Sequence, residues 1–408
     1  MKGHWGEFIH RKSKKPVSYL TSKNFFVLSA ILYFLISAWQ SFWGWKSPDC
    51  HWNVSIASHF FTLNPYSFYR GVPVAPPLGL GFCCTPLLLF YLGPLTYLGN
   101  WLGWTTDFIA RIYSLPLNLA DILNVWLIIK LIRKYRPKIA TADLNLIILI
   151  LFFSGYFLIA SGFEGHPETL VLLFCLLGIN FLLKKNILPA GAVFGLALSS
   201  KQSAVFIILP LFLYLLLAKN GLKTAFKFML GLTAVFALIL SPFIIFHPQE
   251  TLYGIFGVFR RLIIYGPNLW WLAGSVGRKL LGIDLNPVFI EVANPVLLVV
   301  TAAFSLIFLK KKELSFKNGR IFSLVAATLV LSTILSKWVS FHHFLLSFVF
   351  VIIFDSVRRK SGFPVFGVAY SLLLTAASYI SFPWWQLTVL LINLGAFGYI
   401  YRDLSVKG

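Results

Sequence analysis

The sequence predicts an all-α, polytopic membrane protein, and three observations carry that prediction. Of its 408 residues 58% are hydrophobic and 17% aromatic while only 12% are charged, more apolar surface than one soluble core needs. Apolar runs close to the ~20 residues that cross ~30 Å of hydrocarbon recur along the whole chain. The charge is lopsided: 35 Lys and Arg stand against 13 Asp and Glu, a formal net charge of +22, with the cations in short clusters between the apolar runs. In a soluble chain this balance would suggest nucleic acid; clusters flanking apolar helices follow the positive-inside rule instead, and no nucleic-acid partner is expected.

Taken in order, twelve spans fit: about 24–44, 107–129, 142–161, 168–183, 187–200, 204–218, 224–246, 291–309, 321–337, 342–357, 364–381 and 384–401. The first follows HRKSKK without a small-residue cleavage site, so it reads as a retained helix that also directs insertion. Between the first and second lies PPLGLGFCCTPLLLFYLG, Pro76 to Gly93, apolar but rich in Gly and Pro. Crossing there would put the cluster Lys130, Arg133, Lys134, Arg136 and Lys138 outside and reverse every later cluster. Treated as an interfacial or re-entrant segment, it leaves both termini cytoplasmic and 26 of the 35 cations inside. The outer side then holds a first long loop, 45–106, a second, 247–290, and short turns at 162–168, 201–203, 336–340 and 381–385. With no inverted repeat and no soluble insert, residues 1–408 read as one membrane domain whose chemistry lies at the outer face.

The first outer loop opens SPDCHWNVS. Asp49 is followed by aromatic residues (Trp52, Phe60, Phe61, Tyr66, Phe68, Tyr69) and prolines, which suit a folded cap rather than a solvated linker. An acid held against such a cap has the setting of a general base. In SGFEGHPETL, Pro167 starts a helix with Glu168 in its first turn, where the helix dipole favours a negative charge; Glu164 and His166 share that outer level. The second span carries Arg111 near its outer end, within reach of a boundary phosphate, and Asp121 at mid-depth flanked by Asn118 and Asn124. For that trio a structural polar network and a functional one are equally open. Lys201, on a tight turn between two apolar helices, needs an anion, and a lipid-linked phosphate would supply one. Arg260, Arg261, Lys337, His342 and His343 complete the outer cations weighed as phosphate ligands. Cys50, Cys83, Cys84 and Cys175 have no metal-site spacing; Cys50 with Cys83 or Cys84 is the one bridge considered.

In their order these residues resemble the GT-C membrane glycosyltransferases, nearest the dolichyl-phosphate-glucose and dolichyl-phosphate-mannose dependent branches. The resemblance rests on Asp49 with His51-Trp52, PYSFY at 65–69 and PPL at 76–78, then Arg111 with Asp121, GHPE at 165–168 and Lys201-Gln202 after GLAL. It extends to RRLIIYGPNLWW, with Asn268 and Trp270, and to SKWVSFHHF, where the glucosyltransferase branch has H-E-K. It implies a polyprenyl-phosphate-sugar donor, a glycan or glycolipid acceptor, and transfer of a hexose, mannose or glucose, with inversion. Asp49 would be the base; Arg111, Lys201, Arg260, Arg261, Lys337, His342 and His343 would serve the donor phosphate. His51, Trp52, Tyr66, Tyr69, Glu164, His166, Glu168, Gln202, Asn268 and Trp270 would line the substrate site. No D-x-D stands in the first loop, so a divalent metal is not expected. The rival class is a multispan transporter or lipid flippase, which calls for repeats in two halves and a charged site at mid-membrane. The membrane expected is the plasma membrane, with the endoplasmic reticulum as alternative.

Overall fold

The computed structural model describes residues 22–44, 48–58, 61, 86–218, 220–246, 248–249, 251–252, 264, 266–310, 314–336, 339, 343–358, 364–377 and 383–406. Among them there is helix and turn and no strand. In chain order the α-helices are α1 (Ser22–Trp43), α2 (Pro48–Ala57), α3 (Leu87–Trp101), α4 (Thr106–Ile112), α5 (Ser114–Tyr135) and α6 (Thr141–Phe153). They continue with α7 (Glu168–Leu183), α8 (Ile187–Ser200), α9 (Val205–Leu217), α10 (Gly221–Phe246) and α11 (Leu269–Val276). The last are α12 (Asn286–Leu309), α13 (Ile321–Leu335), α14 (Phe344–Arg358), α15 (Val365–Ala377) and α16 (Trp384–Ser405). A π-helical segment, Leu158–Phe163, lies between α6 and α7, and a second, Gly277–Leu281, follows α11.

Among the described residues five stretches are long and apolar enough to cross a membrane: Lys23–Trp43, Thr106–Tyr135, Thr141–Phe163, Gly221–Phe246 and Asn286–Leu309. Shorter apolar helices, α7, α8, α9, α13 and α15 among them, pack beside these. The result is an all-α polytopic membrane bundle, as the composition requires. Of the expected spans, 168–183 and 187–200 coincide with α7 and α8, 107–129 is divided between α4 and α5, 142–161 between α6 and the π-helical segment Leu158–Phe163, and the described ends of the others differ by up to five residues.

α13 is the hub. Every residue of IFSLVAATLVLSTIL is buried, and the helix packs on α9, α12, α14 and α16. A helix apolar all round and free of charge has no solvated face to offer and settles at the centre. α8 reaches α10 through glycines: a Cβ on Gly191 would strike the Phe228 carbonyl, and one on Gly195 would stand 2.6 Å from the Leu232 carbonyl. Without a hydrophobic force between helices in lipid, such close backbone contact is what holds two of them together.

One end of the bundle is tied by basic residues. Arg358 grips Asp403 through Nε and Nη2 at 3.1–3.2 Å, and Arg320 donates to the carbonyls of Asp403 (3.0 Å) and Val406 (2.7 Å). The opposite end carries a second, smaller apolar core in which Cys50, Val54 and Ala57 of α2 meet Leu88, Leu89 and Leu92 of α3. Ile109, Ala110, Tyr113, Leu117, Leu240 and Phe243 close it. In its described residues the first long loop is therefore folded, and its α2 and α3 are helices that the spacing of the loop did not reveal.

Candidate functional site

α2 begins at Pro48, a residue suited to the first helical turn because its missing N–H has no helical partner to lose. Asp49 follows, and the next residue fixes the helix: the Cys50 thiol donates to the Phe163 carbonyl at 3.3 Å. Across the same contact the Tyr113 hydroxyl donates to the Gly165 carbonyl at 2.7 Å. Gly165 has φ +60°, and a Cβ there would strike the Tyr113 hydroxyl and come within 3.0 Å of the Cys50 sulfur. Only glycine combines that dihedral with that closeness. The backbone of Asp49 thus stands one residue from the place where α2, the α4–α5 junction and the 163–165 bend meet.

Arg111 lies at the same end. Thr105 caps α4, accepting from the Phe108 N–H at 3.2 Å, and the first turn presents Asp107 four residues before Arg111. Arg111 Nε donates to Asp107 Oδ2 at 2.6 Å and Nη2 to Oδ1 at 3.3 Å, while Nη1 donates to the Phe42 carbonyl at the end of α1. His51 Nε2 stands 3.6 Å from Asp107 Oδ1. Asp107 is half exposed and His51 more than a third, so this is a screened surface cluster that orients groups more than it stabilises the fold. Tyr91 donates to the Tyr113 carbonyl at 3.1 Å, and burial pushes its phenol pKa up, which keeps it a donor.

Lys201 ends α8 in extended backbone, and the anion it meets is Glu168, in a buried ion pair. Glu168 is 1% exposed and Lys201 8%. His166 Nδ1 lies 3.7 Å from the other carboxylate oxygen. Glu168 does open α7 after Pro167, as the dipole argument expects, but its partner comes from a different turn. Gln202 starts the short helical turn Gln202–Ala204 beside Lys201, and Glu164 closes the π-helical segment, its N–H on the Ile159 carbonyl at 2.8 Å.

The late motifs also come together. Asn268 is fully buried and caps α11, accepting from the Trp271 N–H at 2.8 Å; Trp270 Nε1 donates to the Leu335 carbonyl at 2.6 Å. Gly266, at φ +94°, packs on Val339, so the second long loop is fastened to the end of α13. His343 stands just before α14.

Of the candidate residues, Tyr66, Tyr69, Arg260, Arg261, Lys337 and His342 lie outside the described residues, as do Cys83 and Cys84. Asp49 and Trp52 are described as backbone within α2 only. Two residues that sequence reasoning passed over hold this end together. Asp107 was legible from its i,i+4 spacing to Arg111; Tyr113 carried no signal, because its partner Gly165 is 52 residues away.

Residues 102–246 match the dolichyl-phosphate-mannose-protein mannosyltransferase family. No curated protein matches the chain. The matched stretch runs from the end of α3 to the end of α10 and takes in Arg111, the 163–165 bend, the Glu168–Lys201 pair and the π-helical segment. That match covers 145 of the 408 residues, and it agrees with the resemblance to the GT-C membrane glycosyltransferases that the order of the residues carries.

Proposed function

We propose that the protein transfers a hexose, mannose or glucose, from a polyprenyl-phosphate-linked donor to a lipid- or protein-linked glycan at the extracytoplasmic face, with inversion. The observation that carries this is the anchoring of α2: Cys50 holds the helix bearing Asp49 to the 163–165 bend, and His51 faces the Asp107–Arg111 pair, both within the family-matched stretch. In this reading Asp49 takes the proton of an acceptor hydroxyl as its oxygen attacks the anomeric carbon. The bond from that carbon to the lipid phosphate breaks, and the negative charge on the departing phosphate is met by Arg111 and Lys201. Each cation already holds a carboxylate, Asp107 or Glu168. A guanidinium has five donors and an ammonium three, so each can serve a carboxylate and a phosphate together. The proposal invokes no metal.

The test is incubation of the purified chain with radiolabelled polyprenyl-phosphate mannose or glucose and an extract of candidate acceptors. A new glycoside is expected from wild type. Since general-base catalysis contributes ~10²–10⁴, Asp49→Asn retaining more than about a tenth of that transfer would remove Asp49 from the role. Movement of the lipid across a bilayer with no glycoside formed would favour the flippase reading.

A further inference from the structure

One face of α5 is left uncovered by the bundle. Leu119, Leu123, Trp126, Lys130, Arg133 and Lys134 are all exposed, and steps of three or four residues along a regular helix put them in a single stripe. The remaining faces of α5 pack on α1, α6, α7, α14 and the π-helical segment Leu158–Phe163. Along the stripe the chemistry changes in one direction: two leucines and a tryptophan, each about half exposed, lead to three cations at the end of the helix.

Lys130 is the first residue beyond the apolar stretch 107–129, yet its ammonium turns back toward that stretch, with Nζ 4.9 Å from the centroid of the Trp126 ring. A lysine at the end of a membrane helix ordinarily extends toward water. Here the negative face of the indole holds the charge at the edge of the hydrocarbon, where a cation without an anion is costly. Among the described residues no carboxylate pairs with Lys130 or Lys134. The acid nearest in sequence on that side, Asp143, stands in the first turn of α6, where the helix dipole favours it. Arg133 and Lys134 follow one turn later, about 4.5–6 Å further along the axis, a depth that falls in a headgroup layer of roughly 5–7 Å. The bias of cations toward one side of the membrane accounts for Arg133 and Lys134; it does not account for the ammonium stacked on a ring beneath them.

We propose that this face of α5 binds an anionic phospholipid from the leaflet on which the basic clusters lie. An acyl chain runs along Leu119 and Leu123, the glycerol backbone meets Trp126, and Lys130, Arg133 and Lys134 meet the headgroup phosphate. A lipid lies extended beside a helix, so groups strung along one stripe fit it in a way they would not fit a compact ion. Neighbouring cations three and four residues apart on long flexible stems converge on one phosphate, and Trp126 sits at the level where indoles gather in bilayers. Three cations against one phosphate leave a positive surplus, which favours a headgroup of net negative charge over a zwitterionic one.

The test is native mass spectrometry of the full chain in a neutral detergent, titrated with phosphatidylglycerol or phosphatidylcholine of matched acyl chains. The first phosphatidylglycerol should bind about tenfold more tightly than the first phosphatidylcholine. One cation near a charged lipid surface is worth roughly fivefold, so Lys130→Gln weakens phosphatidylglycerol by about that factor and Lys130→Gln with Lys134→Gln by roughly thirtyfold. Trp126→Leu, which keeps the surface apolar and removes the ring, weakens it as well. These side chains are exposed, so the variants fold as wild type. Lys223→Gln with Lys227→Gln, a pair exposed on α10, leaves the affinity unchanged. Equal affinity for the two lipids would overturn the proposal. An equal loss in the α10 variant would overturn it too, since diffuse charge would then suffice, and so would displacement of the lipid by excess glycerol 3-phosphate, which would mean a site for free phosphate. None of these outcomes bears on whether the protein makes a glycosidic bond.

Discussion

The buried pair of Lys201 and Glu168 gives the sharpest prediction. Glu168 is 1% exposed and Lys201 8%, so neither charge is well hydrated and each depends on the other. Removing one partner of a buried pair costs ~3–5 kcal/mol, because the remaining charge is stranded, whereas replacing both by neutral groups of similar volume is close to neutral. The slight exposure of Lys201 and the neighbouring His166 ring place Lys201→Met near the lower figure, about 3 kcal/mol. Glu168→Gln should cost a similar amount. The double variant should recover to within about 1 kcal/mol of wild type, a coupling of several kcal/mol in a double-mutant cycle. Equilibrium unfolding in mixed lipid–detergent micelles by SDS, followed by tryptophan fluorescence, reads all four states. Single costs below about 1 kcal/mol, the level of an exposed pair, or costs that simply add, would refute the reasoning. The same proteins test the role in transfer: under the proposed function the double variant regains stability but not activity, since no cation remains at position 201 for the donor phosphate.

Two further predictions follow from the site geometry. Gly165→Ala should lower stability by ~1–3 kcal/mol through its left-handed backbone and its collision with the Tyr113 hydroxyl, and Tyr113→Phe in the same chain should restore part of the loss; a thermal midpoint equal to wild type would contradict this. Arg358→Ala, which releases a part-buried Asp403 at the opposite end of the bundle, should destabilise by about 1 kcal/mol and leave the transfer rate per folded molecule unchanged, as measured by the radiolabelled assay.

What the sequence makes legible is what depends on local length and polarity. The expected stretch 187–200 coincides with α8, and 168–183 with α7, because an apolar run bounded by Lys184-Lys185 or by Lys201 has its ends written in the chain. The helices within the loops were not visible for the converse reason. α2 is PDCHWNVSIA, with Cys50, Val54 and Ala57 as its buried face, and that face is meaningful only once α3 and α4 supply the other half of a core. The general-base reading of Asp49 came from a lone acid in an aromatic loop, while the groups that place it, Cys50 with Phe163 and Tyr113 with Gly165, are paired across 113 and 52 residues. Lys201 shows the limit most clearly. Its need for an anion was correctly read from a cation between two apolar helices, and a lipid phosphate was the anion invoked, yet the carboxylate that meets it sits 33 residues earlier in a helix start that the dipole argument already explained. Charge balance in a low-dielectric bundle is a property of spatial neighbours: a sequence shows which charges need partners, and only packing shows which partner each one has. Asp121 is the complementary case, a buried carboxyl whose partners among the described residues are the hydroxyls of Tyr33, Ser161 and Thr169, each brought to it from another element.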